Sequence, residues 1–305
     1  MAKTELFSRQ ASGGMFTINN EALNTGNIFW VCSLTGTDAV GYGQNPDAPF
    51  ATLAYAISQC IASNDDRIYV MRGHAEAVIA AGTITLDKIG VSIIGMGTGS
   101  ARPTFSWTTI SSATLLMTAA STSISNCIFD VGNGITGLTS GIVISAAGCT
   151  IKNCRFLTSK AGTWIAPIQT ILTTAGANYL TIDGNHFVGP ALTTTTVSAG
   201  TSCICLVGGT GIQIINNYIH GWFTTTTGCI YGITTLTNNV LIDHNFLGNQ
   251  TTSSAAAITL LTGSTGLVSN NRLGVLTGTA PIVADAVWWL NNYYAASKAS
   301  AGVIL

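Results

Sequence analysis

A short pattern of apolar and polar positions recurs along the chain and organises it. The pattern reads apolar, any, any, Asn or Cys, any, apolar, and its clearest copy is IDGNHF at residues 182–187. Successive copies start 21 to 32 residues apart. The copies begin at Ile124, Ile151, Ile182, Ile214, Ile242, Val268 and, more loosely, Trp289. Self-similarity at a period of this size indicates a repeat architecture.

Each copy predicts a pair of short strands and not a helix. Apolar and polar side chains alternate, as they do in a strand, and Ile, Val, Phe and Tyr fill the apolar positions. Gly, Thr, Ser and Asn separate the copies, which predicts turns and loops. Units of this kind bury their apolar sides by stacking coil on coil, about 4.8 Å apart. The sequence therefore predicts an all-β solenoid of roughly seven to nine coils.

The fourth position of the pattern predicts a ladder of stacked side chains at one turn. An inward Asn can hydrogen-bond its own turn and the next coil, so that buried polar groups are paired. The first two copies have Cys there, which predicts a drier turn. The predicted ladder consists of Cys127, Cys154, Asn185, Asn217, Asn245, Asn271 and Asn292.

With its repeats and its Asn ladder, the chain resembles the right-handed parallel β-helix superfamily of pectate lyases and phage tailspikes. The resemblance covers about residues 28–294 and implies the fold, but not an activity, because one fold hosts many functions. Residues 45–57, NPDAPFATLAYAI, resemble the opening segment of many β-helix proteins. Apolar residues at helical spacing predict a capping helix at about 51–62. Residues 1–27 are expected to form an arm that docks on neighbouring subunits, and 295–305 a docking tail.

Charge is scarce along the whole chain. Only 8% of the residues are charged and the net charge is -1, against roughly 25% charged residues in ordinary soluble domains. This balance excludes a basic surface for nucleic acid, and no apolar run is long enough for a membrane span. The N-terminus does not read as a secretory signal. We interpret the neutral exterior as a surface covered by other subunits, and a Thr/Ser-rich extracellular rod is the alternative.

The eight cysteines do not have the spacing of a zinc site. We expect buried free thiols, which fits assembly in a reducing cytoplasm.

Candidate catalytic residues are few. Glycoside hydrolysis needs two carboxyl groups about 5–10 Å apart. The best pair is Asp183 and Asp243, which share the second position two coils apart with Ile215 between them. They are weak candidates, because the chain lacks the clustered acidic and basic columns of the lyase and hydrolase relatives. The sequence predicts a protein that is not an enzyme and has no cofactor or metal.

Candidate contact residues fall in the arm, in a Thr-rich band and near the C-terminus. The Thr runs recur at nearly the same height on successive coils; they form a solvated ladder, a subunit contact or, with Trp164 and Trp222, a glycan strip. The aromatic C-terminus is expected to seal the rod and to meet a partner. The predicted interface residues are Met1, Phe7, Phe16, Thr193, Thr194, Thr195, Thr196, Trp222, Thr224, Thr225, Thr226, Thr227, Trp288, Trp289, Tyr293 and Tyr294.

These features together predict a bacteriophage virion structural protein. It would be a non-catalytic capsid decoration or cement protein, or a head or tail spike rod, assembled in the host cytoplasm. We expect a homotrimer that contacts the major capsid protein or other virion proteins, with a host surface glycan as a further candidate partner. Two alternatives stay open, namely a tailspike-type polysaccharide lyase or hydrolase and a glycan-binding adhesin.

Overall fold

The computed structural model describes residues 7–9, 16–18, 26–108, 110–131, 138–157, 169–189, 200–223, 227–250, 256–275, 281–285, 287–295 and 303–304. Over these residues the chain is nearly all β and forms a parallel β-helix, which confirms the predicted fold class. Successive coils contribute strands to three sheets, called sheet 1, sheet 2 and sheet 3 below.

Sheet 1 has ten strands and holds the first half of each repeat. Its strands are Ile28–Val31, Arg67–Val70, Ser92–Gly95, Ser123–Ser125, Thr150–Lys152, Thr181–Asp183, Gln213–Ile215, Val240–Asp243, Gly266–Ser269 and Val287–Leu290. Sheet 2 follows the turn of the repeat and also has ten strands. Its strands are Ala75–Val78, Thr104–Trp107, Ile128–Val131, Arg155–Leu157, His186–Val188, Tyr218–Gly221, Phe246–Asn249, Arg272–Val275, Tyr293–Ala295 and Val303–Ile304.

Sheet 3 closes each coil and has eight strands. Its strands are Ala81–Leu86, Thr114–Met117, Ser140–Ile144, Gln169–Thr173, Ser202–Leu206, Ile230–Gly232, Ile258–Thr259 and Ile282–Val283. A smaller two-stranded pair joins Gly209–Thr210 to Thr237–Asn238, and Gly99–Ala101 forms a turn of 3-10 helix.

The core consists of stacked apolar columns inside the three sheets. In sheet 1 the first repeat position is in register from coil to coil, so Ile151 lies between Ile124 and Ile182. In sheet 2 the sixth position stacks aromatic rings, with Phe156 centred 5.0 Å from Phe129 and 4.4 Å from Phe187. All of these side chains are buried. Because alternate strand residues point to opposite faces, the repeat pattern fixes which side chains lie inside. All eight cysteines are free and buried.

The capping helix is shorter than its predicted range of about 51–62. It runs over Leu53–Gln59 and packs Leu53, Ala56 and Ile57 on the first coils. The Thr52 hydroxyl accepts a hydrogen bond from the N–H of Tyr55, so Thr52 is the N-cap, and extended backbone at Cys60 ends the helix. No helix in the part of the chain that the structure describes is long and apolar enough to cross a membrane.

Both chain ends contain antiparallel pairs. Phe7–Arg9 pairs with Phe16–Ile18, so the predicted arm at residues 1–27 includes a two-stranded antiparallel sheet. Val303–Ile304 pairs with Tyr293 and Tyr294, and so covers the outer edge of that strand of sheet 2. Met1 lies outside the described residues.

Candidate functional site

The turn between sheet 1 and sheet 2 holds two ladders, one outside and one inside the rod. The third repeat position has a left-handed backbone in every copy, with φ between 52° and 65°. Its residues are Asn126, Asn153, Gly184, Asn216, His244, Asn270 and Asn291. Gly and Asn adopt this conformation most readily, which accounts for the residues chosen there. This outer ladder was not predicted from the sequence, although the recurrence of Asn and Gly at the third position was a signal for it.

The inner ladder occupies the fourth position and is buried throughout. Asn217 shows the repeating geometry: its Nδ2 donates to the carbonyl oxygen of Ile182 on the preceding coil at 2.8 Å. Its Oδ1 accepts the backbone N–H of Asn185 at 2.9 Å. The Asn column ends where the N–H of Cys154 donates to Oδ1 of Asn185 at 2.9 Å. The structure therefore brings the ladder residues of the sequence analysis into one column.

The two cysteines that continue this column, Cys127 and Cys154, are buried and free. Contact with Cys154 and burial raise the pKa of the Cys127 thiol well above its usual value. A protonated, buried thiol is a poor nucleophile and a poor metal ligand. Among the residues that the structure describes, no cluster of three His, Cys, Asp or Glu is placed to hold a metal ion.

Asp183 and Asp243 lie on the outer face of sheet 1, two coils apart in register with Ile215 between them. Asn216 donates to Oδ1 of Asp183 at 2.9 Å, and Nζ of Lys152 lies 3.5 Å from Oδ2. Both oxygens of Asp183 are thus engaged by neighbouring coils.

Asp243 is engaged in the same way. Ser269 and Asn270 donate to its Oδ1, and His244 contacts its Oδ2. Burial alone would raise the pKa of Asp243, but these hydrogen bonds and the charge of His244 outweigh it and lower the pKa below its ordinary value. A carboxyl group that is held ionised is a poor general acid. Each carboxylate of the pair thus links its own coil to a neighbouring coil.

Several predicted interface residues lie outside the described residues. These are Met1, Thr193, Thr194, Thr195, Thr196, Thr224, Thr225 and Thr226. Trp164, a candidate for the glycan strip, also lies outside the described residues. The structure describes the strands that hold Phe7, Phe16 and Tyr294 but not their side chains. Trp222 is half-buried. Thr227 is buried and its hydroxyl donates to the carbonyl oxygen of Thr201, so it does not face a partner.

An apolar surface lies on the outer face of sheet 1 at the C-terminal end. Leu241, Leu267 and Trp288 follow one another in register; the two leucines are half-buried and Trp288 is 80% exposed. Leu290, on the last strand, is 54% exposed. We call these four residues the C-terminal apolar patch. The same outward column is polar one coil earlier, at Gln213.

Trp289 has a different position. It is in register with Val268 in the inward column of sheet 1 and is still 40% exposed. No described coil stacks above it, so the inward column of sheet 1 ends at Trp289.

A groove of about 680 Å³ follows the outside of the turn over the C-terminal coils. The third-position residues His244, Asn270 and Asn291 contribute to its lining. The other wall comes from the fifth repeat position, which forms an outward column on sheet 2. That column consists of Arg155, His186, Tyr218, Phe246, Arg272 and Tyr293. We call the space between these walls the turn groove.

The rings of Tyr218 and Phe246 are stacked in the turn groove, with centroids 4.7 Å apart and planes 5° apart. His186 meets Tyr218 edge to face at 4.9 Å. Burial, followed by the charges of Arg155 and Arg102, lowers the pKa of His186. The fifth-position column was not recognised from the sequence, because its members are many residues apart.

Comparison with known proteins identifies a shared fold. No family model matches the chain, and no curated protein matches its sequence. Among solved structures, the GH136 lacto-N-biosidase from Eubacterium ramulus aligns with a TM-score of 0.51 at 13% identity, over 90% of this chain and 57% of that one. A rhamnogalacturonan lyase aligns with a TM-score of 0.36 at 11% identity, over 81% of this chain and 73% of that one. At such identity the first likeness shows the fold alone. It agrees with the parallel β-helix that the stacked coils form.

Proposed function

We propose that this chain is a non-catalytic structural protein of a bacteriophage particle. It is a rod that forms a homotrimer and packs against the major capsid protein or other virion subunits. The C-terminal apolar patch carries the proposal. Its residues Leu241, Leu267 and Trp288 form an outward apolar column over three coils, on a chain with only 8% charged residues. Contiguous exposed apolar surface marks interaction sites, and Trp is enriched in them.

The position of the patch favours lateral packing. It lies on the side of the rod and spans successive coils, so a partner must run alongside it. Another copy of the chain offers a surface of matching length. When one patch of a subunit contacts a different patch of an identical subunit, the contacts can close into a ring if the rotation from subunit to subunit adds up to a full turn. A trimer is the ring in which that rotation is one third of a turn.

The backbone at the same end supports the proposal. No described strand pairs with the outer edge of Val287–Leu290. An open edge with apolar side chains is a template for another chain, and proteins normally cover it. The neighbouring strand Tyr293–Ala295 is covered by Val303–Ile304 of the same chain. The partner that lies against the apolar patch on the side of the rod therefore also extends over the end of the rod, along the edge of Val287–Leu290.

Sedimentation equilibrium tests the assembly. The wild type is expected to have three times the mass of the 31.5 kDa chain. Trp288→Lys and Leu267→Lys place charges in the patch and are expected to yield monomers. Gln213→Lys lies in the same outward column before the patch begins and is expected to leave the trimer intact. A wild type that is monomeric at micromolar concentration would contradict the assembly, and trimeric patch variants would contradict the role of the patch.

Immunogold electron microscopy tests the location. Antibodies against the chain are expected to label intact particles released from cells that produce it. Labelling confined to the soluble fraction would count against a virion protein.

The enzymatic alternative is a polysaccharide lyase or hydrolase in which Asp183 and Asp243 act. The fold that the chain shares with a glycoside hydrolase is compatible with this alternative. The hydrogen bonds of both carboxylates to neighbouring coils favour the structural role instead.

A further inference from the structure

We propose that a cavity at the N-terminal end of the rod receives the N-terminal arm of another copy of the chain. The inference rests on the proposed assembly of copies and adds a second contact, at the end of the rod opposite to the C-terminal apolar patch. The cavity has a volume of about 260 Å³ and lies beside Ile28–Val31, the first strand of sheet 1. We call it the N-terminal cavity.

The floor of the N-terminal cavity is apolar. Phe29 and Phe50 line it, and their ring centroids lie 5.9 Å apart. Apart from the surface that they turn to the cavity, both residues are buried in the core of the first coils. An apolar side chain that enters the cavity therefore extends the core, and burial of apolar surface stabilises the contact.

A loop holds two more apolar side chains at the rim of the cavity. Val40 and Tyr42 line it, and they are 96% and 37% exposed. The loop is fixed in place, because the N–H of Trp30 donates to the carbonyl oxygen of Gly43 at 2.7 Å. Gly43 has a φ of 81°, and a Cβ there would clash with the ring of Phe50, so only glycine fits. The rim and the floor thus form one accessible apolar surface, which marks a contact site.

The paired strands of the arm have one largely apolar face. Phe7–Arg9 pairs with Phe16–Ile18, and register and alternation place Phe7, Phe16 and Ile18 on one face together with Arg9. An isolated two-stranded sheet is at best marginally stable in water. No strand of the rod within the described ranges pairs with either strand of the arm. The arm therefore needs an apolar surface, and its separation from its own rod favours the surface of a neighbour.

The arm leaves the rod at the rim of the N-terminal cavity. Asn27 lines the cavity, and its N–H donates to Oδ1 of the buried Asp66 at 2.6 Å, which fixes the point of departure. Eight residues separate Ile18 from Asn27 and span up to about 28 Å when extended. In a ring the N-terminal ends of all copies lie at one level. This length lets the arm of one copy cross to the cavity of the next.

Charge favours the same contact. Residues 32–66, which contain the loop and the capping helix, include four Asp and no Lys, Arg or His. Asp38 and Asp47 are exposed on this segment. Arg9 shares the apolar face of the arm strands. A basic residue on the arm therefore meets an acidic surface around the cavity, and such complementarity steers association.

Photo-crosslinking of the full chain tests the inference. Val40 is replaced by p-benzoylphenylalanine, and the products are separated on a denaturing gel and mapped by mass spectrometry. We expect cross-links to residues 1–25 that join separate chains, so that the mass rises in multiples of 31.5 kDa. The same probe at Tyr179, which is 66% exposed on another coil, is the control and is expected to give no link to the arm.

Two double variants separate the effect of the apolar face from that of added charge. Phe7→Asp with Phe16→Asp is expected to lower the yield of cross-links from position 40 on the order of tenfold or more, because apolar anchors of the contact are lost. Ser8→Asp with Thr17→Asp adds the same charge to the other face of the same strands and is expected to keep the yield. Circular dichroism shows whether each variant keeps the fold.

The inference is wrong if position 40 links only to the arm of its own chain, links elsewhere or forms no link. It is also wrong if both double variants lose the link equally. Any of these results with a wild type that sediments as a trimer would overturn the arm exchange and leave the proposed assembly intact. A monomeric wild type would overturn both.

Discussion

Asn217 gives two hydrogen bonds to one oxygen of Asn245: the backbone N–H lies 2.8 Å and Nδ2 3.1 Å from Oδ1 of Asn245. The same Nδ2 donates to Ile182 on the preceding coil. Asn217 therefore ties three successive coils together. Because both side chains are buried, no water can replace a lost bond, and the ladder fixes the register of the turn.

We expect Asn217→Ala to lower the free energy of unfolding by about 2–5 kcal/mol, because it leaves buried groups of Asn185 and Ile182 without partners. Denaturant unfolding measures the loss. Gln213→Ala, on the exposed face of the same coil, is the control and should change the free energy by no more than about 0.5 kcal/mol. Similar small effects for both variants would show that the ladder does not stabilise the fold.

The Cys end of the ladder can be tested by extending the Asn column. Cys154→Asn is expected to raise the free energy of unfolding by about 1 kcal/mol, since its Oδ1 can accept the N–H of Cys127 as Asn185 accepts that of Cys154. Cys154→Ala should instead destabilise the chain by leaving a cavity. Thermal melting of the two variants separates the cases. If the melting temperature of Cys154→Asn is as low as that of Cys154→Ala, the turn at Cys154 has no room for an amide.

Acid should destabilise the rod partly through His186. Burial and the charges of Arg155 and Arg102 lower its pKa in the folded chain below the ordinary 6.5. The unfolded chain then takes up this proton at a higher pH than the folded chain, so stability is full above pH 6.5 and declines as the pH falls below it. His186→Gln is expected to flatten the dependence of melting temperature on pH in this window. An unchanged slope would mean that other groups cause the decline.

Asp183 and Asp243 are expected to contribute to the stability of the rod and not to catalyse cleavage of polysaccharides. Asp243→Ala removes the acceptor of Ser269 and Asn270 and is expected to lower the melting temperature. Incubation of the wild type with acidic and neutral polysaccharides should release no reducing ends and no unsaturated sugars. Cleavage that disappears in the Asp183→Ala, Asp243→Ala double variant would instead support an enzyme.

The sequence allowed the coil stacking and the inner ladder to be predicted for a physical reason. Alternation of side chains in a strand assigns Ile182 and Phe187 to the inside, and the next coil repeats the assignment. The position of Asn185 between them then follows. Hydrophobic pattern and local turn chemistry suffice for such features, because they need no knowledge of distant contacts.

The outer surface could not be predicted in the same way. Tyr218 and Phe246 are stacked only because adjacent coils bring them into register. Asp243 looked like a candidate acid until Ser269 and Asn270 of the next coil were placed beside it. The N-terminal hairpin was missed because its two strands of three residues carry too little pattern.

Hydrogen exchange across the C-terminal end tests the central claim of subunit packing most directly. Amides of Val287–Leu290 that point away from sheet 1 are expected to become protected as protein concentration rises through assembly, and Trp288→Lys should abolish that protection. The strand Tyr293–Ala295, already paired with Val303–Ile304, should show no such change. Exchange in Val287–Leu290 that stays fast at every concentration would contradict the account.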